Sequence, residues 1–149
     1  MTRKSKTALF AGSFNPFTVG HRSIVERALR LADRLIIAVG YNAAKQNEAT
    51  ALSRVAHIRE IFASDPRVEV EAYSGLTVDF ARSRGVDFMV RGVRSVADFE
   101  YERNLADTNM AISGIDTVLL CALPQYSFIS SSMVRELEAN GGDSSQFLA

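Results

Sequence analysis

Short apolar runs and amphipathic stretches alternate along this chain, and that alternation restricts the fold more than any other feature. Thr7–Phe10, Leu35–Val39, Val68–Tyr73, Phe88–Val90 and Thr117–Cys121 read as five strands. The third sets Val68, Val70 and Ala72 against Glu69 and Glu71, so it is expected to be less completely covered than the others. Between the strands lie helical patterns. Ile24, Val25, Ala28, Leu29 and Ala32 share one face; Leu52, Val55, Ile58 and Phe62 share another, with Thr50 as its expected cap. Thr77–Arg84 is closed by Gly85, Val96–Ile112 is a long helix, and a last helix starts within Ser130–Ser132 and stops near Gly141 and Gly142.

Strands separated by helices call for crossover connections, which make a sheet parallel and cover it on both faces. With right-handed crossovers the expected fold is α/β: a Rossmann-like doubly wound five-stranded parallel sheet with helices on both faces. Residues 1–149 are expected to form a single domain, and the chain shows no repeat, low-complexity tract or linker.

Ligands of such sheets sit beyond the carboxyl ends of the strands. Here those segments are Gly12–His21, Tyr41–Ala49, Ser74–Thr77, Arg91–Arg94 and Pro124–Ser132, and they hold most of the unusual residues. In the first, Gly12 permits a sharp turn after the strand and Gly20 a close approach by ligand or backbone. His21 falls in the first turn of the next helix, where free N–H groups attract anions and an imidazolium could donate to a phosphate oxygen. The glycine spacing is not that of the G-x-G-x-x-G dinucleotide fingerprint. Arg91-Gly92-Val93-Arg94 places two guanidinium groups around a glycine that leaves room for phosphate; alone, it also reads as a solvated basic turn. Tyr126-Ser127-Phe128-Ile129-Ser130-Ser131-Ser132 leads into a helix with Arg135 one turn inside, and three serines exceed what one N-cap needs. Lys45 lies in a polar loop without support from spacing. His57 reads as structural and Cys121 as a small buried side chain. Glu100 and Glu102 bracket Tyr101 on the long helix, where a carboxylate could orient a ribose or an arginine.

Totals remove several classes of function. Seventeen Lys and Arg balance seventeen Asp and Glu, which argues against a general nucleic-acid binder. One cysteine and two histidines leave no intramolecular disulfide and little basis for a Cys- or His-rich metal site. No apolar run approaches the ~18 residues of a membrane span. The basic start, Met1–Lys6, is not followed by the apolar segment of a signal peptide, so a cytoplasmic location without a membrane partner is expected.

Taken together, the segments carry a resemblance. Gly12-Ser13-Phe14-Asn15-Pro16 followed by Thr18-Val19-Gly20-His21 resembles the glycine-rich loop and T/H-x-G-H motif of the nucleotidyltransferase superfamily. Ile129-Ser130-Ser131-Ser132-Met133-Val134-Arg135 resembles its I-S-S-T-x-x-R motif. Within that superfamily, Val90–Glu102 is similar to the corresponding stretch of the bacterial phosphopantetheine adenylyltransferase family, and the similarity runs from about Thr7 to Leu148. Two positions depart from the family pattern: Asn15 stands where aspartate is usual, and Ser13 where threonine is common.

The resemblance implies transfer of AMP from ATP to 4′-phosphopantetheine, giving dephospho-coenzyme A and pyrophosphate. It implies that His21, Lys45 and Arg91 are catalytic. It places Ser13, Phe14, His21, Gly92, Val93, Arg94, Glu102, Tyr126, Ser127, Phe128, Ile129, Ser130, Ser131 and Ser132 on ATP, and Ser13, Lys45, Thr77 and Arg91 on the acceptor. It also implies Mg²⁺ carried mainly on the ATP phosphates, no metal site made by the protein, and a homohexamer. A cytidylyltransferase, a nicotinamide-mononucleotide adenylyltransferase and a catalytically silent nucleotide binder are the alternatives the same motifs leave open.

Overall fold

The computed structural model describes residues 3–45 and 47–149; Met1 and Thr2 of the basic start, and Gln46 within the expected Tyr41–Ala49 loop, lie outside the described residues. Five parallel strands form one sheet in the order β3-β2-β1-β4-β5. They are β1 Thr7–Gly12, β2 Arg34–Gly40, β3 Val68–Tyr73, β4 Phe88–Val93 and β5 Asp116–Cys121. The helices are α1 Val19–Ala28, α2 Glu48–Ile61, α3 Thr77–Ser83, α4 Val96–Ser113 and α5 Ser131–Ala139, followed by a 3₁₀ turn at Ser145–Phe147. This is the doubly wound α/β order that the alternation predicts. The chain winds outward from β1 to β3, then returns to place β4 on the other side of β1. The carboxyl ends of β1 and β4 therefore diverge into a crevice.

Period-two alternation sorts β1 between two cores. Ala8 and Phe10 join Ile24, Val25 and Ala28 of α1 and Val55 and Ile58 of α2; Leu9 and Ala11 join Val78 and Ala81 of α3 with Met89. Along β3 only Val70 is buried, in line with its alternating sequence.

Several local expectations are corrected. β4 continues through Arg91, Gly92 and Val93, pairing with Leu119, Leu120 and Cys121, because strand geometry tolerates a glycine where a close packing partner fills its face. Arg91 and Gly92 thus point to opposite faces of the sheet. Asn47, not Thr50, caps α2: its side chain accepts from the Thr50 N–H at 3.1 Å. Leu52 is half exposed, because Ala51 rather than Leu52 shares the buried face with Val55 and Ile58 at i, i+4 and i+7. α1 stops at Ala28, so Leu29 and Ala32 reach the core from a turn. Cys121, at the end of an edge strand, is exposed.

Candidate active site

The crevice between β1 and β4 holds a cleft of about 250 Å³ whose wall includes Gly12, Ser13, Phe14, His21, Arg91, Gly92, Arg94, Tyr126, Ile129 and Ser130–Ser132. Two helix N-termini converge on it. Thr18 caps α1 in a capping box with His21: the His21 N–H donates to the Thr18 hydroxyl at 3.3 Å, and the Thr18 N–H donates to His21 Nδ1 at 2.9 Å. Ser130 caps α5, its hydroxyl accepting from the Met133 N–H at 3.0 Å. The N–H groups of Ser131 and Ser132 precede the first bond of α5, from Val134 to the Ser130 carbonyl, and face the cleft with the positive end of the helix.

The loop from Ala11 to Thr18 is held by its carbonyl oxygens. Arg91 Nη1 donates to Ala11 at 2.5 Å, Arg54 Nε to Ser13 at 2.9 Å, Arg135 Nη1 to Asn15 at 2.5 Å and the Ser131 hydroxyl to Pro16 at 2.8 Å. The two sequence motifs are thereby joined across more than a hundred residues. Such anchoring lets Phe14 keep a left-handed backbone, φ 49, that a bulky side chain rarely adopts. Phe14 is 3% exposed, and its ring sits under Gly12, where a Cβ would come within 3.1 Å of it.

His21 lies among aromatic rings, stacked on Phe17 at 5.3 Å and edge-on to Phe14 at 5.0 Å. Burial, and secondarily the positive charges of Arg94 and Arg91, push its pKa down to about 4. His21 is therefore a neutral imidazole at pH 7, a correction to the expected imidazolium. Because Nδ1 accepts the Thr18 N–H, the ring proton resides on Nε2.

Arg91 and Arg94 are unlike. The guanidinium of Arg91 grips Glu102 at both ends, Nε to Oε2 at 2.8 Å and Nη2 to Oε1 at 2.7 Å. With the Ala11 bond, three of its five N–H donors are used, leaving two without a protein partner among the described residues. Glu102 is 5% exposed, the one residue of α4 that is fully buried, and it is the partner of the Arg91 guanidinium. Arg94 is tied more loosely, Nε to Asp98 Oδ2 at 3.4 Å, and its terminal nitrogens have no protein bond among the described residues. Gly92 makes room for α1: a Cβ there would lie 3.2 Å from Ile24 Cγ1.

A second cavity of about 250 Å³ opens on the opposite face of β4 and shares Ala11, Gly12 and Arg91 with the first. Apolar side chains including Leu9, Val78, Met89, Leu105 and Ile112 line it, with Thr77, Glu102, Asn109 and Thr117 among them. Lys45 is exposed at its outer approaches, in a shallow depression with Ser13, Tyr41 and Tyr73.

Residues 9–137 match the Cytidylyltransferase-like family model. A phosphopantetheine adenylyltransferase of Porphyromonas gingivalis is 54% identical over 145 residues, covering 97% of this chain and 95% of its relative. The chain belongs to the phosphopantetheine adenylyltransferase family. Proteins of the same name from Phocaeicola vulgatus and Leuconostoc citreum are 48% and 46% identical, over 96% and 91% of this chain and 95% and 86% of theirs. Among solved structures, a bifunctional NMN adenylyltransferase/ADP ribose pyrophosphatase of Francisella tularensis complexed with AMP and Mn superposes with TM-score 0.66. At 15% identity it covers 97% of this chain and 44% of that one, and shares the fold. A lipopolysaccharide core biosynthesis protein of Thermoplasma volcanium matches at TM-score 0.55 and 19% identity, over 80% of this chain and 98% of that one.

Against that family, the residues expected on ATP divide into groups. Ser13, Phe14, His21, Gly92, Arg94, Tyr126, Ile129, Ser130, Ser131 and Ser132 meet in the first cleft. Val93 is buried at the end of β4. Ser127 bonds the Pro124 carbonyl at 3.2 Å, Phe128 turns outward to Phe147, and Glu102 lines the second cavity. Of the residues expected on the acceptor, Thr77 and Arg91 line the second cavity, while Ser13 and Lys45 lie together in the depression beside it. The three serines have separate tasks. Ser130 caps and Ser131 tethers Pro16, whereas Ser132 makes no side-chain bond among the described residues. Asn15 keeps its backbone place through Arg135, and its side chain is exposed. Sequence reasoning missed Arg54, whose partner is a backbone carbonyl 41 positions away. It also missed Thr117 and Asn109, which look from the sequence like ordinary strand and helix residues.

Proposed function

We propose that the chain transfers AMP from ATP to 4′-phosphopantetheine, with ATP in the first cleft and the acceptor in the second cavity. The observation that carries this reading is the pair of adjoining pockets meeting at Gly12 and Arg91, one walled by helix N-termini and cations, the other apolar. A triphosphate matches the first. The second suits an arm of methylenes, methyl groups and amides; the buried hydroxyl of Thr117, without a partner among the described residues, offers such an arm a polar contact.

The nucleophile is a phosphate oxygen, ionised at neutral pH, so the reaction needs alignment and charge stabilisation more than a general base. In this reading the Nε2–H of neutral His21, the N–H groups of Ser131 and Ser132, and Arg94 neutralise charge on the nucleotide phosphates as pyrophosphate leaves. The two free donors of Arg91 and the ammonium of Lys45 hold the acceptor phosphate, with Ser13 between the sites. Among the described residues, those lining the first cleft include no carboxylate, so Mg²⁺ fits as a passenger on the triphosphate, with substrate oxygens and water as its ligands. We also read the chain as a cytoplasmic homohexamer. What supports assembly is α4, where Val96, Phe99, Tyr101, Met110 and Ile112 are all exposed.

Incubation with ATP, 4′-phosphopantetheine and Mg²⁺, followed by mass spectrometry, tests the reading. Dephospho-coenzyme A is the expected product, and its absence while ATP binds would overturn the acceptor assignment.

A further inference from the structure

The last six residues fold back against the loops that border the first cleft. Ser144 is buried and its hydroxyl donates to Glu138 Oε1 at 2.6 Å, turning the chain away from α5. After the 3₁₀ turn, Leu148 forms an isolated antiparallel bridge with Thr18, the Ala149 N–H donates to the Phe17 carbonyl at 3.4 Å, and Ala149 packs on the core beneath. Phe147 meets Phe128 edge-on, with ring centroids 5.9 Å apart. One short strap thus touches the loop before α1 and the loop before α5.

The point of attachment matters. The Phe17 carbonyl and the Thr18 N–H belong to one rigid peptide plane. Its oxygen accepts from Ala149, and its N–H donates to His21 Nδ1 at 2.9 Å. A chain of hydrogen bonds therefore runs from the strap through a single peptide unit to the imidazole, each bond polarising the next.

We propose that residues 145–149 are a positioning strap for the nucleotide site: Ala149 fixes the peptide plane that holds His21 in its Nε2–H tautomer, and Phe147 steadies the serine loop through Phe128. The inference rests on the reading that His21 serves the nucleotide. It gives the strap an effect on ATP that it does not have on the acceptor, whose cavity lies across the sheet.

Ala149→Pro tests the first contact cleanly. It deletes one N–H, and Leu148, at φ −86 and ψ 139, already has the extended backbone that precedes proline. Ala149→Gly retains the N–H and is the control. Phe147→Ala tests the second contact, with Phe147→Tyr as the conservative rescue. Thermal unfolding identifies any variant that has lost its fold; if one has, the remaining variants carry the test. For Ala149→Pro and Phe147→Ala, KM for ATP should rise roughly 3- to 10-fold, the factor of one hydrogen bond or aromatic pair, with KM for 4′-phosphopantetheine unchanged. The Gly and Tyr variants should stay near wild type. Ring ¹⁵N spectra of His21 should show one tautomer in the wild type and a mixture in Ala149→Pro. Equal change in both KM values, or an unaltered ring spectrum with unaltered KM for ATP, would overturn the strap. A wild-type chain that does not turn over would instead overturn the functional reading, and the ring spectrum would still decide the strap.

Discussion

The backbone N–H of Thr18 donates to Nδ1 of His21 at 2.9 Å, and this one bond sets which nitrogen of the ring carries its proton. With Nδ1 occupied, Nε2–H is the donor available to a ligand. Replacing His21 by Ala removes a single preorganised donor and should lower kcat by roughly 10²–10³. Steady-state turnover checks this, and a near-normal kcat would remove His21 from the list of catalytic groups.

The low pKa of His21 has a consequence for stability. The folded-state value, about 4, lies below the ordinary 6.5, so the unfolded chain binds the proton more readily. The stabilisation is fully present above pH 6.5 and is lost as pH falls from 6.5 towards 4. Tm should drop over that window, and His21→Gln should flatten the drop. ATP, bringing negative charge to the ring, should raise the pKa, which ring-proton NMR with and without nucleotide would register.

Arg91 and Glu102 should behave as a unit. Cutting Glu102 to Ala strands a largely buried guanidinium and should cost about 3–5 kcal/mol of stability in urea unfolding. The double substitution Arg91→Met, Glu102→Leu should recover part of that loss. Arg91→Ala should also impair use of 4′-phosphopantetheine more than binding of ATP; equal losses for both would argue against its place on the acceptor.

Gly92→Ala should act through packing. Its Cβ would press on Ile24 at 3.2 Å, shifting α1 and with it His21. Adding Ile24→Ala, which removes both the Cγ1 and the Cδ1 that the new Cβ would press on, should restore part of the activity; failure to restore any would mean that the close approach at Gly92 serves something other than α1.

Much of this was legible in the sequence because the relevant signals are local. Strand and helix periods indicated the sheet, and the rule that ligands lie beyond strand ends picked out the Gly12–His21, Tyr41–Ala49, Ser74–Thr77, Arg91–Arg94 and Pro124–Ser132 segments. The finer roles depend on contacts between distant parts of the chain. The Ser131 hydroxyl is spent on Pro16, 115 residues away, and nothing near Ser131 announces it. Glu102 looks like a solvent-facing helix carboxylate until β4 brings Arg91 beneath it. The ring charge of His21 was misjudged because its burial comes from Phe14 and Phe17 folding back over it, a property of the loop's tertiary path. Arg91 and Gly92 read as a turn because a glycine after an apolar run usually ends a strand; here Ile24 fills its face and the strand runs on.

Pyrophosphate release is the most direct test of the account as a whole. The wild-type chain, with Mg²⁺, should release pyrophosphate only when ATP and 4′-phosphopantetheine are both present, and far more slowly when CTP replaces ATP. Release with ATP that does not depend on the acceptor, or a preference for CTP, would contradict the assignment of the two pockets.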